Sequence, residues 1–331
     1  LQSTRPYNTF KIDHQVRSIT IVKNVKSLRD AISIQDNPIV LGGGSNVLFT
    51  HDSDRRLIII DLQGIEVISE DGQSVTVQVG AGEVWHDLVL WAIDQGYGGL
   101  ENLSLIPGKC GAAPIQNIGA YGVELSDVLL SVTCMSRANG ALVTMSKSDC
   151  RLGYRSSIFK TEYKDEYVIS AIKLKLSKLG SYKVNTTYGA INDLLQKRDI
   201  VNPTIRDVSD VVVEIRKSKL PDPAHLPNAG SFFKNPIISL VEYEALKWRY
   251  PLMPSYPVSD DTCKVPAGWL IDQCGWKGIM VGDVGVHAHQ ALVIVNHGAS
   301  SGRDIARLSE MIKQSVASKF GLRLDPEVNF I

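Results

Sequence analysis

The sequence predicts a mixed α and β protein with more than one layer and two or three domains. Three observations carry this. The chain has 331 residues, 44% of them hydrophobic, and domains run to roughly 100–200 residues. Segments alternating apolar and polar residues every second position are interspersed with segments of helical spacing. Two glycine-rich stretches, 42–46 and 98–122, interrupt the pattern where regular structure is not expected.

Positions 19–22 read as a strand and 27–34 as a helix. A strand at 38–41 runs into Gly42-Gly43-Gly44-Ser45-Asn46, and 57–61 is a short apolar strand. In 74–80, Val75, Val77 and Val79 alternate with polar residues, the mark of a half-buried strand. Trp85, Leu88, Val89, Ala92 and Ile93 fall on one helical face, with Gly96 as the stop. Ile172, Leu174 and Leu176 alternate against lysines in a strand over 167–176. Thr204-Ile-Arg-Asp207 resembles a capping box ahead of Val208, Val211, Val212 and Ile215. Lys219-Leu-Pro-Asp-Pro223 then breaks the helix and marks a domain boundary. Helices follow at 241–248, 267–274 and 301–320, and 322–331 reads as a closing strand.

Composition excludes several classes. Lys plus Arg and Asp plus Glu both number 35, so there is no overall field for nucleic acid. Five cysteines, Cys110, Cys134, Cys150, Cys263 and Cys274, occur without a CxxC pair, which argues against a disulfide framework or zinc ribbon and for reduced thiols in cytosol. The longest apolar runs, such as 57–60 and 291–295, are strand-length, so no membrane insertion is expected. His287 and His289 could share a strand face, but the sequence supplies no third ligand, and no metal is predicted.

Consecutive glycines at 42–44 let backbone N–H groups face an anion; a tight turn is the alternative. The segment is neither a dinucleotide fingerprint nor a P-loop: Val47 stands where the third glycine should be, and no Gly-Lys-Ser/Thr follows. Leu103-Ser-Leu-Ile-Pro-Gly108 and Pro114-Ile-Gln-Asn-Ile-Gly-Ala-Tyr-Gly122 form a second backbone-lined region, suited to a pyrophosphate and a flat ring unless it is one surface loop. Gly153-Tyr-Arg-Ser-Ser-Ile-Phe-Lys160 sets Arg155 among aromatics, where it could clamp a carboxylate or simply stack on tyrosine. Ala229-Gly-Ser-Phe-Phe-Lys-Asn-Pro236 carries Ser231 outside any Gly-x-Ser-x-Gly elbow. Glu327 in Pro326-Glu-Val328 places a carboxylate on the closing strand.

In this order the motifs resemble the UDP-N-acetylenolpyruvoylglucosamine reductases, over nearly the whole chain. Thr187-Tyr-Gly189 is similar to the extra tyrosine-bearing loop of the family's longer form. The resemblance implies an α+β architecture: an FAD-binding fold of the vanillyl-alcohol oxidase type in two subdomains, 1–65 with 322–331 and 66–218, plus a smaller α+β substrate-binding domain, 219–321. It implies noncovalent FAD, with Gly42, Gly43, Gly44, Ser45 and Asn46 and the loop residues Gln116, Asn117, Gly119, Ala120 and Gly122 at the pyrophosphate. Ser104, Pro107 and Gly108 would approach the flavin. NADPH is the implied hydride donor, and UDP-N-acetylglucosamine enolpyruvate the implied substrate on the route to peptidoglycan, in a cytoplasmic monomer. Arg155 matches the family's active-site arginine, Ser231 its proton donor and Glu327 its active-site glutamate. Tyr188, Lys219, Asn235, Tyr256, Lys277 and Gln290 match positions that bind the nucleotide sugar. Two departures stand out: Asn329 where members often carry arginine, and Gly43 where they can carry a larger polar residue. The rival readings are a flavin oxidase of the same fold acting on an alcohol with O₂, and a nucleotide-sugar-binding protein without catalysis.

Overall fold

The computed structural model describes residues 1–34, 36–298 and 301–331. The chain packs as two compact units. The first comprises Leu1–Gln2, Val16–Gly43 and Asp54–Ser218, the second Ser3–Gln15, Gly44–Ser53 and Lys219–Ile331. This grouping places the C-terminal residues with 44–53 and not with 16–43.

In the first unit, a three-stranded parallel sheet has Leu57–Ile60 at its centre, between Ile19–Val22 and Ile39–Leu41. All four central residues are buried, which is why the segment reads as an unbroken apolar run. The helix Val25–Ile32 joins the first two strands in sequence. It begins two residues before the expected 27–34, because Asn24 and Ser27 form a reciprocal capping box that sets the start.

A five-stranded antiparallel sheet follows, in the order Leu142–Ser146, Leu129–Ser136, Tyr167–Ser177, Ser74–Gly80, Ile65–Glu70. Val75, Val77 and Val79 pair with Leu176, Leu174 and Ile172, and all six are buried. The helix Trp85–Asp94 adds Trp85, Leu88, Val89, Ala92 and Ile93 to the same core. Side chains of this size are worth about 1.5–3 kcal/mol each when fully buried. A separate small core joins Ile191 and Leu195 of Gly189–Lys197 to Val208, Val211, Val212 and Ile215 of Ile205–Lys219. The expected cap of the latter helix forms: Thr204 Oγ1 accepts from Asp207 N at 3.2 Å and donates to Asp207 Oδ2 at 2.6 Å.

The second unit has a four-stranded sheet ordered Asn228–Ser231, Val293–Asn296, Val284–Val286, Met280–Val281. A smaller sheet pairs Thr262–Lys264 with Ile237–Ser239 and Tyr256–Pro257. Its helices are Leu240–Arg249, Ala267–Gln273 and Gly302–Phe320. The expected closing strand over 322–331 is corrected: only Asn329–Phe330 is strand, parallel to Val47–Leu48. Upstream, the segment has a different neighbour. Glu327 N donates to Phe232 O at 2.8 Å and Lys234 N to Asp325 O at 2.9 Å, while Pro326 has no N–H to extend a ladder. Glu327 therefore lies just before the strand.

Candidate functional site

In the first unit, the early glycine loop meets the later one backbone to backbone. A Cβ on Gly43 would lie 3.2 Å from Gly108 Cα, and one on Gly42 would lie 3.4 Å from Lys109 Cβ. Lys109 is already engaged, its Nζ donating to Asp61 Oδ1 at 2.8 Å and Ile60 O at 3.0 Å, and this partner holds Asp61 below the usual carboxylate range. What the loops offer an anion is thus backbone N–H, in a cradle that a side chain would fill. The donor set fits the pyrophosphate of a dinucleotide cofactor.

Segment 103–108 is tied down from several sides. Trp85 Nε1 donates to Leu103 O at 3.0 Å, Arg216 Nε to Leu105 O at 3.2 Å, and Leu105 N to His86 Nδ1 at 3.0 Å. Ser104 is buried and bonds Glu101 O and Ser209 Oγ, each at 2.7 Å. Glu101, itself buried, accepts Gly99 N at 2.6 Å, and burial raises its pKa. Sequence reasoning missed His86, Glu101 and Arg216, since nothing local distinguishes them from surface residues.

Arg155 has φ +50°, a left-handed conformation that is uncommon outside glycine. Its guanidinium donates to Gly119 O at 2.6 Å and Asn117 O at 3.4 Å. The arginine is therefore built into loop 114–122, which the sequence assigns to cofactor. Asn117 is left-handed as well, at φ +46°; its Nδ2 donates to Glu124 Oε2 at 2.8 Å and its Oδ1 accepts Ser126 N at 3.0 Å. Gly119 and Ala120 pair with Glu124 and Val123, and Gln116 closes the turn Cys110–Gln116. The Cys110 thiol is buried in the core, and burial pushes its pKa up strongly, a setting in which thiols are inert. Tyr188 is the N-cap residue of Gly189–Lys197. Its ring meets Tyr121 edge-on, centroids 5.0 Å apart.

The second unit holds Ser231 and Glu327 on adjoining segments, linked by the Glu327 N to Phe232 O hydrogen bond of 2.8 Å. Ser231 ends its strand after Gly230, which has φ +69°, and precedes the buried pair Phe232 and Phe233, rings 5.1 Å apart. Asn228, buried and unnoticed in the sequence, fixes this turn: its Oδ1 accepts Gly230 N at 2.8 Å, while Nδ2 donates to Leu226 O and Pro221 O. Asn46 Nδ2 donates to Glu327 O at 3.1 Å, and Asn46 O accepts from Asn329 N and Nδ2, both at 3.0 Å. Asn329 thus braces Asn46, the residue that bonds the Glu327 carbonyl.

Asn235 and Gln290 converge on the first turn of Ala267–Gln273. Asn235 Oδ1 accepts Ala267 N at 2.9 Å, and Gln290 Oε1 is 3.4 Å from where a Gly268 Cβ would stand. Lys277, just past that helix, pairs with Asp272 at 2.6 Å. Tyr256 is an exposed strand residue, and Lys219 ends the helix Ile205–Lys219. His287 and His289 follow the strand Val284–Val286 instead of lying on it, ring centroids 5.6 Å apart. Among the described residues, no cluster of three or more His, Cys, Asp or Glu is disposed to hold a metal, and no helix is long and apolar enough to cross a membrane.

Comparison with known proteins supplies the identity. Residues 222–331 match the family model "UDP-N-acetylenolpyruvoylglucosamine reductase, C-terminal domain", and residues 19–146 match "FAD binding domain". The UDP-N-acetylenolpyruvoylglucosamine reductase of Flavobacterium johnsoniae is 46% identical over 99% of this chain and 98% of its own. The chain belongs to this reductase family. The Pseudomonas aeruginosa reductase is 45% identical, covering 99% of this chain and 97% of its own. A crystal structure of the Thermus caldophilus reductase shares the fold, with TM-score 0.69 and 23% identity over 99% of this chain and 96% of that one. The comparisons bear out the α+β FAD-binding fold, FAD as cofactor and a reductase activity on the enolpyruvyl nucleotide sugar.

Family membership gives the His86 contact a measurable consequence. Burial holds His86 below its ordinary pKa of 6.5, and its Nδ1 must stay unprotonated to accept Leu105 N. A pKa lowered in the folded state contributes stability that is complete above the unfolded pKa and is lost as pH falls through the folded one. Acidification through and below the ordinary histidine range should loosen segment 103–108. Flavin fluorescence, which rises on release, should show an acid step that His86→Gln lacks; identical curves for the two proteins would assign the step elsewhere.

Proposed function

We propose that the chain reduces UDP-N-acetylglucosamine enolpyruvate to UDP-N-acetylmuramate with NADPH, as a cytoplasmic monomer making a peptidoglycan precursor. The observation that best supports this reading is the pairing of the Ser231 and Glu327 segments through Phe232 O. It sets a hydroxyl and a carboxylate 96 positions apart on neighbouring backbone. Bound FAD would supply hydride to the terminal vinyl carbon of the substrate. Gly42 to Asn46, with Gln116, Asn117, Gly119, Ala120 and Gly122, would hold its pyrophosphate, and Ser104, Pro107 and Gly108 would line the approach to its ring. With its thiol buried, Cys110 is unsuited to covalent attachment, in keeping with noncovalent FAD.

Arg155 would meet the negative charge that builds on the substrate carboxylate once hydride has added, and Glu327 would hydrogen-bond the same group. Ser231 would give its proton to C2, completing addition of hydride and proton across the double bond. The fixed backbone on both sides of Ser231 serves this step, because a weak acid acts only where its hydroxyl is well aimed. Tyr188, Lys219, Asn235, Tyr256, Lys277 and Gln290 would bind the nucleotide sugar. The domain reading that accompanies this is two FAD-binding subdomains, 1–65 with 322–331 and 66–218, and a substrate-binding domain, 219–321.

The test is NADPH oxidation dependent on the enolpyruvyl sugar. The chain has no Gly-x-Gly-x-x-Gly after a strand, so NADPH and sugar should take turns at one site. Double-reciprocal plots at several NADPH concentrations should be parallel. Intersecting lines would point to a ternary complex, and sugar-independent O₂ consumption with an alcohol would favour an oxidase.

A further inference from the structure

We propose that a cleft at the amino end of the strand Ile39–Leu41 binds a zwitterionic α-amino acid with an apolar side chain, its carboxylate on Arg137 and its ammonium on Asp165 and Glu166. The cleft encloses about 550 Å³ and is lined only by residues of the first unit. Small-molecule sites run from roughly 300 to 1,000 Å³. Asn37 and Pro38 lead into the strand, and Gly42 follows it. Three strand residues put the cleft about 10 Å from the glycine loop, so it is a second site and not part of the cofactor cradle. Arg137 follows the strand Leu129–Ser136, and Asp165 and Glu166 lead into Tyr167–Ser177. Arg137 N donates to Glu166 O at 2.9 Å, which ties the two segments together.

The floor is cationic and the rim acidic. The Arg137 side chain is 13% exposed and that of Asp165 68%. Arg137 Nη2 donates to Pro38 O at 2.7 Å and Asn37 Oδ1 at 3.1 Å. Arg55 Nη2 donates to the same two oxygens at 3.3 and 3.4 Å, so two guanidiniums share neutral acceptors. Asp36, next in the chain, is taken up by Arg56 through bonds of 2.6 and 2.8 Å. Among the described residues, Arg137 Nη1 and Nε make no hydrogen bond. Nη1 stands 3.8 Å from Asp165 Oδ1, too far for one. A half-buried cation and a carboxylate held apart in this way complement the adjacent carboxylate and ammonium of an α-amino acid. Ile34, Pro38 and Tyr167 form an apolar wall beside them. On the two lips, Asn37 and Asp165 are left-handed, φ +48° and +63°, backbone that persists where its surroundings hold it. The site is thus shaped before a ligand arrives, which spares binding the cost of ordering it.

The experiment is calorimetric titration of the full FAD-loaded chain with L-phenylalanine and L-leucine. Each should bind once per chain with a Kd of about a millimolar, the scale for so few atoms. Three controls remove one element of recognition each: N-acetyl-L-phenylalanine has no ammonium, L-phenylalaninamide no carboxylate and glycine no apolar side chain. Each should bind about tenfold more weakly or worse, the worth of one charge-assisted hydrogen bond or one buried side chain. Arg137→Gln, and the double variant Asp165→Asn with Glu166→Gln, should each weaken L-phenylalanine by the same factor. Asparagine suits the left-handed backbone at 165, so the double variant keeps the rim in shape. Bound flavin should be unchanged in both proteins. Equal or tighter binding of N-acetyl-L-phenylalanine would mark a plain anion site, and equal binding of glycine a site without an apolar wall; either result overturns the proposal. So does binding that survives both variants, binding that the enolpyruvyl sugar displaces, or no binding of either amino acid up to its solubility limit.

Discussion

Ser231→Ala should separate the two halves of the reaction. Reduction of the flavin by NADPH moves no proton to carbon and should proceed at nearly the parental rate. Reoxidation by the enolpyruvyl sugar should slow by roughly 10²–10⁴-fold, the usual range for removing a positioned acid. Ser231→Cys should retain more activity, since a thiol also donates. Stopped-flow absorbance reads both steps in one protein. The backbone here is set by Asn228 and by the buried rings of Phe232 and Phe233, so truncating the hydroxyl should leave the strand in place. Damage to both halves together would mean that Ser231 shapes its turn; recovery at the parental rate would remove it as the proton donor.

Gly44→Ala should severely weaken the second unit. At φ +62°, the added Cβ would stand 1.9 Å from Tyr7 O and 2.8 Å from Tyr7 C. Both atoms are backbone, and the same segment is held by Thr9 N donating to Gly44 O at 3.1 Å, so no side chain can swing aside. Overpacking and left-handed strain together should cost about 3 kcal/mol or more. Gly282→Ala is the matched control: φ is +61° with nothing within 4 Å of the new Cβ, so only the conformational part remains. Urea midpoints should therefore fall much further for Gly44→Ala. Equal midpoints would show that the contact with Tyr7 is relieved at little cost.

Much of this architecture is visible in local patterning, and the exceptions have physical causes. The Leu57–Ile60 run and the Val75, Val77, Val79 alternation announce themselves because burial on two faces or one writes directly into residue type. Leu142–Ser146 does not, since four of its five residues are exposed, and an edge strand needs little apolar patterning. Ile65–Glu70 is hidden in the same way, with one half-buried residue and the rest exposed. The overlong closing strand came from apolar residues that serve two partners in turn, with Pro326 at the change. The glycine loops and Arg155 were legible as motifs. Asn102 and Asn185 were not, because 83 positions separate two asparagines whose meaning is a shared hydrogen bond.

The parallel pairing of Asn329–Phe330 with Val47–Leu48 has a consequence for synthesis. Asn46 is translated 283 positions before Asn329, which braces it. Until then Asn46 lacks both bonds from Asn329, and Glu327 is not yet made. Non-local pairings of this span close slowly, and a growing chain folds first what it has already released. The second unit can therefore close fully only after Asn329 has been made: a polypeptide stalled before that point carries the Gly44–Asn46 turn without its bonds from Asn329.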